Sequence, residues 1–255
     1  MTGTYSYVNI QHNMLEAKTD VVSPVVVNAW HTSELALLAY KKNPTNPERL
    51  YNFQEARWGL NRFAMGLSKA DVAVDDCPYS EDQIRQFMGL GGFRKVSNPD
   101  FALFLPQVAS TAEGLVLQGK AYPQMTNMVF QEGTPIKNVD QLGDEVSLYG
   151  WMRTEKSIDA LNTNTNEDQA REAIRKAGRL PQTLNVYAEA GNISKLISPK
   201  FQYLDEVRTW VRILSSLLGG QVVYADFHLD GHCHVHWDLE PGHANAFLGV
   251  RSVGV

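Results

Sequence analysis

The residues best suited to chemistry stand near the end of this 255-residue chain, in Gln221 to Leu239, QVVYADFHLDGHCHVHWDL. His234 and His236 are two residues apart, so in a strand their imidazoles lie on one side. Strands use that spacing to hold zinc, and Asp226 and His228 on the preceding arm could complete the ligand set. The competing reading is a plain polar sheet face, solvated or pressed against another subunit. A histidine opposite an aspartate also makes a pH-sensitive pair, because imidazole titrates within the cellular range.

The element that must position these residues is a β-hairpin closed at Asp230-Gly231. Val, Tyr, Phe and Trp alternate with polar residues on both arms, the period of a half-buried strand. A three-residue loop, Asp230-Gly231-His232, pairs Leu229 with Cys233, Phe227 with Val235, Ala225 with Trp237 and Val223 with Leu239 on one face. His228/His234, Asp226/His236 and Tyr224/Asp238 then share the other. A slip of one residue would mix the faces, so the sorted register is expected. A five-residue loop preserves the same sorting and leaves the turn open. In either case the apolar face carries Cys233, Val235 and Trp237 towards a core. Cys233 is then a packed small residue and not a thiolate.

Composition bounds the rest. The chain is 44% hydrophobic and 20% charged, enough for one large domain or two small ones. A formal net charge of -5 lacks the basic footprint of a protein that grips nucleic acid. Two cysteines, Cys77 and Cys233, cannot build a disulfide framework, which suits a reducing compartment. No signal-peptide pattern opens the sequence, and no apolar run has the length that spans a bilayer. A soluble, cytosolic protein is expected.

Along the chain, residues 1–20 form an N-terminal arm in which Tyr5, Val8, His12 and Leu15 fall on one helical stripe. Val25 to Trp30 and Glu34 to Tyr40 read as a hairpin turning at His31-Thr32-Ser33. Asn46 and Pro47 open a helix whose stripe runs through Leu50, Phe53, Arg57, Leu60, Ala64 and Leu67. Ser80 to Gln83 is a capping box that starts a short helix through Met88. Gly89, Gly91 and Gly92 stop it, and no Lys-Ser or Lys-Thr follows to make them a phosphate loop. Strands are expected at Phe101 to Leu105, Glu113 to Leu117, Val129-Phe130, Val146 to Met152, Thr183 to Ala190 and Asn245 to Val250. Asn162 to Asp168 reads as a polar surface excursion leading into a helix, Gln169 to Ala177, ended by Gly178. From Ser198-Pro199, the spacing of Leu204, Val207, Val211, Leu214 and Leu218 predicts a long helix closed by Gly219-Gly220. Residues 1–255 show no repeat or linker and read as one domain. Strands without regular βαβ alternation indicate an α+β fold, an antiparallel β-sandwich flanked by helices, with the N-terminal helix protruding.

No catalytic set emerges. G-x-S-x-G is absent, and His12, His31 and His243 stand alone. Asp75-Asp76 and Asp144-Glu145 are acidic loop pairs, and Arg94-Lys95 is a basic pair that fits a solvated loop or an anion.

Three segments carry a resemblance. Gly91-Gly92-Phe93-Arg94-Lys95-Val96-Ser97-Asn98 precedes the apolar strand Phe101 to Leu105 and Pro106-Gln107-Val108. The expected helix around Asp205 to Leu218 runs into QVVYADFHL. HVHWDLEPGHANAFLGV then closes the chain. In this order, and with a lone N-terminal helix, the chain resembles the cypovirus polyhedrins, which form the crystalline occlusion bodies of insect viruses. The pattern covers about half of the chain, and the run HCHVH has no counterpart in it. The resemblance implies a non-enzymatic matrix protein in the cytoplasm of infected insect cells. It implies homotrimers in a crystalline lattice around occluded virus particles, with dissolution at alkaline pH. It also implies an N-terminal helix that ties trimers together; the stripe of Tyr5, Val8, His12 and Leu15, which has nothing local to pack on, is its expected contact. Nucleotide is bound by some members of that family, and no residue here marks such a site. No contact with genomic nucleic acid or membrane is expected. The alternative function is a zinc-binding protein or metalloenzyme built on Asp226, His228, His234 and His236.

Overall fold

The protein was studied as a computed structural model, which describes residues 24–65, 73–88, 100–105, 128–130, 149–197, 202–206, 208–218, 220–228 and 232–254. In chain order these form α1 (Pro24–Lys42), α2 (Pro47–Met65), α3 (Glu81–Phe87), β1 (Asp100–Leu105), β2 (Met128–Phe130), β3 (Gly150–Glu155) and α4 (Glu167–Lys176). There follow β4 (Leu180–Pro181), α5 (Leu184–Ile197), β5 (Trp210–Leu218), β6 (Gln221–Phe227), β7 (Cys233–Leu239), β8 (Leu248–Val250) and β9 (Ser252–Gly254). The N-terminal arm, the glycines and basic pair of residues 89–95, the strand expected at Glu113 to Leu117 and the Asp144-Glu145 pair lie outside the described residues.

The strands make two sheets, one ordered β1-β3-β9-β4 and the other β2-β7-β6-β5-β8. The fold is α+β. Pairing is antiparallel except for β2 with β7 and β5 with β8, which run parallel and correct the all-antiparallel expectation. Helix α5 lies between the two sheets. Leu184, Tyr187 and Ala188 pack on Val211, Ile213, Val223, Ala225, Phe227, Cys233, Val235 and Trp237 of the five-stranded sheet. Val186, Ala190 and Ile193 pack on Phe101, Leu103, Leu105, Met152 and Val253 of the other. Gly191 permits this close approach, since a Cβ there would stand 2.1 Å from Phe227 Cε2. The alternate residues of β1 face outwards. Ala102 packs with Leu37, Tyr40, Leu50, Phe53 and Ile84 from α1, α2 and α3, and Phe104 packs with Trp58 and Val74.

Several sequence readings hold because their caps were specific. Asn46 accepts from Arg49 N at 2.9 Å, and Ser80 and Gln83 close the capping box of α3. Asn166 and Gln169 do the same for α4, and Gly178 takes a positive φ just beyond it. Three readings fail. The hairpin expected over Val25 to Tyr40 is the single helix α1. His31-Thr32-Ser33 contains no turn-forming Gly, Pro, Asn or Asp, Pro24 sits at a first helical position, and Leu37 and Tyr40 bury one stripe. The strand expected at Thr183 to Ala190 is the start of α5. That helix is buried on every side, so its apolar residues show no stripe and imitate a buried strand. Val186 N donates to Thr183 Oγ1 at 3.3 Å, the cap that would have revealed it. The helix expected through Leu218 is instead β5. Its inner residues Val211 and Ile213 meet α5, while its outer Leu214 meets Ala170 and Ile174 of α4. Cover on both faces erases the period of two that marks a strand.

Candidate functional site

Strands β6 and β7 pair antiparallel with Phe227 opposite Cys233, Ala225 opposite Val235, Asp226 opposite His234 and Tyr224 opposite His236. The expected pairs are therefore displaced by two residues, which leaves the sorting of faces intact. His228 N donates to His232 O at 2.8 Å and closes the hairpin mouth. At the far end a bulge puts Val222, not Val223, opposite Leu239. Cys233, Val235 and Trp237 are buried against α5, as the alternation requires. Full burial also pushes the Cys233 thiol far above its ordinary range, so it is not a nucleophile.

The other face gathers a line of flat rings. The rings of His228 and His234 lie 5.0 Å apart, His232 and His234 6.3 Å, and His234 and His236 6.0 Å. His236 stacks on Tyr224 at 5.1 Å, and Tyr224 leans on Trp210 of β5 at 5.7 Å. Tyr224 Oη donates to Asp238 Oδ1 at 2.8 Å, a diagonal bond between residues expected to be directly opposed. Burial and that carboxylate raise the Tyr224 phenol well above its ordinary value. Burial lowers the His236 imidazole, and Asp238 partly opposes it, so the ring is held towards its neutral form. His228 and Asp238 are exposed, and His232, His234 and His236 are half-buried. Asp226 is nearly enclosed.

Part of this outer face is covered. Arg212, opposite Tyr224, is buried and donates to Thr165 O at 3.0 Å and His243 O at 2.8 Å. Helix α4 and the turns around residues 161–166 and 241–247 thus cover Arg212 and Leu214 of β5, while Trp210 stays 40% exposed and the β6–β7 side keeps its imidazoles. The polar stretch read as an excursion is a clamp on the sheet edge, with Leu161 and Val250 exchanging backbone bonds.

Of the proposed ligand set, the structure brings Asp226, His228, His234 and His236 onto one face. Among the described residues, no three His, Cys, Asp or Glu side chains already converge as a metal-holding group. Sequence reasoning missed His232, placed in the turn, and Trp210, placed on a helix. Comparisons with protein-family models, with curated proteins and with solved structures give no match. Among the described residues, no helix is long and apolar enough to cross a membrane.

A second polar cluster is internal. Arg251 stands where the chain passes from β8 in one sheet to β9 in the other. Its guanidinium donates to Asp205 at 2.6 and 3.0 Å and to the carbonyls of Ser157 and Ile158. Both side chains are fully buried. Burial alone would lower Arg251, but Asp205 more than reverses this and keeps it charged. Nearby, Arg179 bridges Asp100 and Ser252, and Ser252 donates to Glu155. Arg57 of α2 pairs with Glu189 of α5, again out of solvent. These groups are locked by directional bonds at strand crossings and serve as fold-setting contacts.

Proposed function

We propose that the protein is a structural, self-assembling matrix protein without catalysis of its own, of the kind that forms viral occlusion bodies. In this reading copies associate, through homotrimers, into intracellular crystals that enclose virus particles in the cytoplasm of an insect cell. The observation that carries it is the outer side of α1. Val27, Leu35 and Leu38 recur at helical spacing there and are 39%, 67% and 56% exposed. An exposed apolar row on a helix is a surface that another copy would bury. Phe63 and Phe247, also exposed, extend the apolar surface available for packing. Alkaline release agrees with the tyrosines. Burial beside Cys77 pushes Tyr40 up to about 12, and Tyr79 is raised to about 12 for the same main reason. Both phenols are held neutral in the folded chain above their ordinary value of 10, so stability falls as pH rises from 10 towards 12, and alkali favours release.

The test is electron microscopy of cells expressing the full chain, with sedimentation of the purified protein. Dense ordered bodies, abolished by Leu35→Glu with Leu38→Glu, are expected. A compact monomer at high concentration, with no bodies in cells, would overturn the reading.

A further inference from the structure

We propose that the imidazole face of the hairpin is a binding site for one borderline divalent transition ion of the zinc, copper or nickel class, seated on His234 with His228 and either His232 or His236. The donor set decides the class. Imidazole nitrogens suit these ions, whereas calcium and magnesium demand oxygen cages.

Distance decides the seat. Two imidazoles on one tetrahedral ion, each nitrogen about 2.0–2.1 Å from it, have ring centres about 5 Å apart. His228 and His234 already stand at 5.0 Å. His236 and His232 lie at 6.0 and 6.3 Å from His234, on either side of it. The rings are now inclined to one another by 26–38°, tilted or stacked, and not aimed at one point. Closing the site needs rotation about side-chain bonds and no change of backbone register. His228 is exposed, so that rotation carries its ring through solvent.

Carboxylates stand where an outer shell is needed. Ligating imidazoles commonly pass their second N–H to a carboxylate, which orients the ring and raises its basicity. Asp226 is the cross-strand partner of His234, and Asp238 acts electrostatically on His236 while anchored by Tyr224. Two carboxylates beside the rings also offset the charge of an incoming dication. The inner side of the same strands is apolar, so the ion has one route, from solvent onto the outer face.

This inference is independent of the assembly reading. Equilibrium dialysis of the full chain against zinc chloride, with elemental analysis, should find one ion per chain. Cobalt(II) substitution should give the intense visible bands of a tetrahedral site. His234→Ala should weaken binding by at least roughly 10–100-fold, and His228→Ala should also weaken it. His31→Ala, on exposed α1, should leave it unchanged. Circular dichroism checks that each variant is folded, and His234→Gln replaces His234→Ala if the latter is not. No stoichiometric uptake, or uptake indifferent to both His234 and His228 substitutions, would overturn the proposal. Neither result bears on whether ordered bodies form.

Discussion

The cluster around Arg251 and the cluster around His234 are both polar, both tied to the five-stranded sheet, and built by opposite rules. Arg251 and Asp205 are fully buried and joined by two hydrogen bonds, and the carbonyls of Ser157 and Ile158 also accept from the guanidinium. The histidine rings lie 5.0–6.3 Å apart with solvent on one side. Enclosed charge is tolerable only beside a directional, oppositely charged partner. The half-open rings have no such requirement, so their spacing is free to serve binding. The contrast separates fold from function within one polar inventory: the sealed cluster should govern stability, and the open one should govern ligands.

The sharpest way to break that contrast is to remove one member of the sealed pair. Asp205→Ala leaves the Arg251 guanidinium enclosed without its counter-charge, which costs about 3–5 kcal/mol. That is a large part of the roughly 5–15 kcal/mol that holds a domain together. Urea unfolding should show a matching fall in midpoint. A loss below about 1 kcal/mol would mean the pair is not what closes the strand crossing.

Trp237→Ala tests the sorted hairpin directly. Trp237 is 7% exposed and lies in the cluster around α5, so truncation should cost about 3–5 kcal/mol. A small loss would place the ring outside the core and reverse the two faces of β7.

The third prediction concerns pH. Tyr40 stacks on Phe53 at 5.3 Å, and its folded pKa of about 12 lies above its ordinary value of 10. Between those values the unfolded chain releases the proton and the folded chain keeps it. Stability is therefore fully present below pH 10 and falls as pH rises towards 12. Two pH units correspond to roughly 3 kcal/mol. Unfolding curves from pH 8 to 12.5 should show the decline, and Tyr40→Phe should reduce it. An identical decline in the variant would assign alkaline lability to other groups.

The same contrast explains what could be read in the sequence. The hairpin faces were legible because one side of β7 alternates cleanly, Cys233, Val235 and Trp237 buried against half-open His234 and His236. Helices α2 and α3 were legible from Asn46 and Ser80, whose caps are local chemistry, while α4, expected from Gln169, begins two residues earlier behind the Asn166 cap. The layer order was not. Helix α5 and strand β5 are covered on both sides, so neither carries the one-sided pattern that distinguishes 3.6 from 2. Arg251 and Asp205 were invisible for a different reason, since 46 residues separate them and only the fold brings them together. Of the site, the parity of His228, His234 and His236 could be read. The contribution of Trp210 could not, because it depends on β5 being a strand.

The smallest expected effect is the most discriminating. His234 is half-buried and opposite Asp226, and its ring is flanked by those of His228, His232 and His236. Replacement by alanine removes ring contacts on a face that water already reaches, and it opens no cavity under α5. The backbone ladder of β6 and β7 is unaffected. The loss should stay within about 1 kcal/mol, in the range of ordinary substitutions away from cores and buried networks. Against the roughly 3–5 kcal/mol expected two strand positions away in the opposite sense, at Trp237, the difference is measurable in a single urea series. His234→Ala that unfolds as readily as Trp237→Ala would show that the imidazole row is structural. A stable His234→Ala variant that loses its ion would leave the row as a ligand-binding face carried by a fold that does not need it.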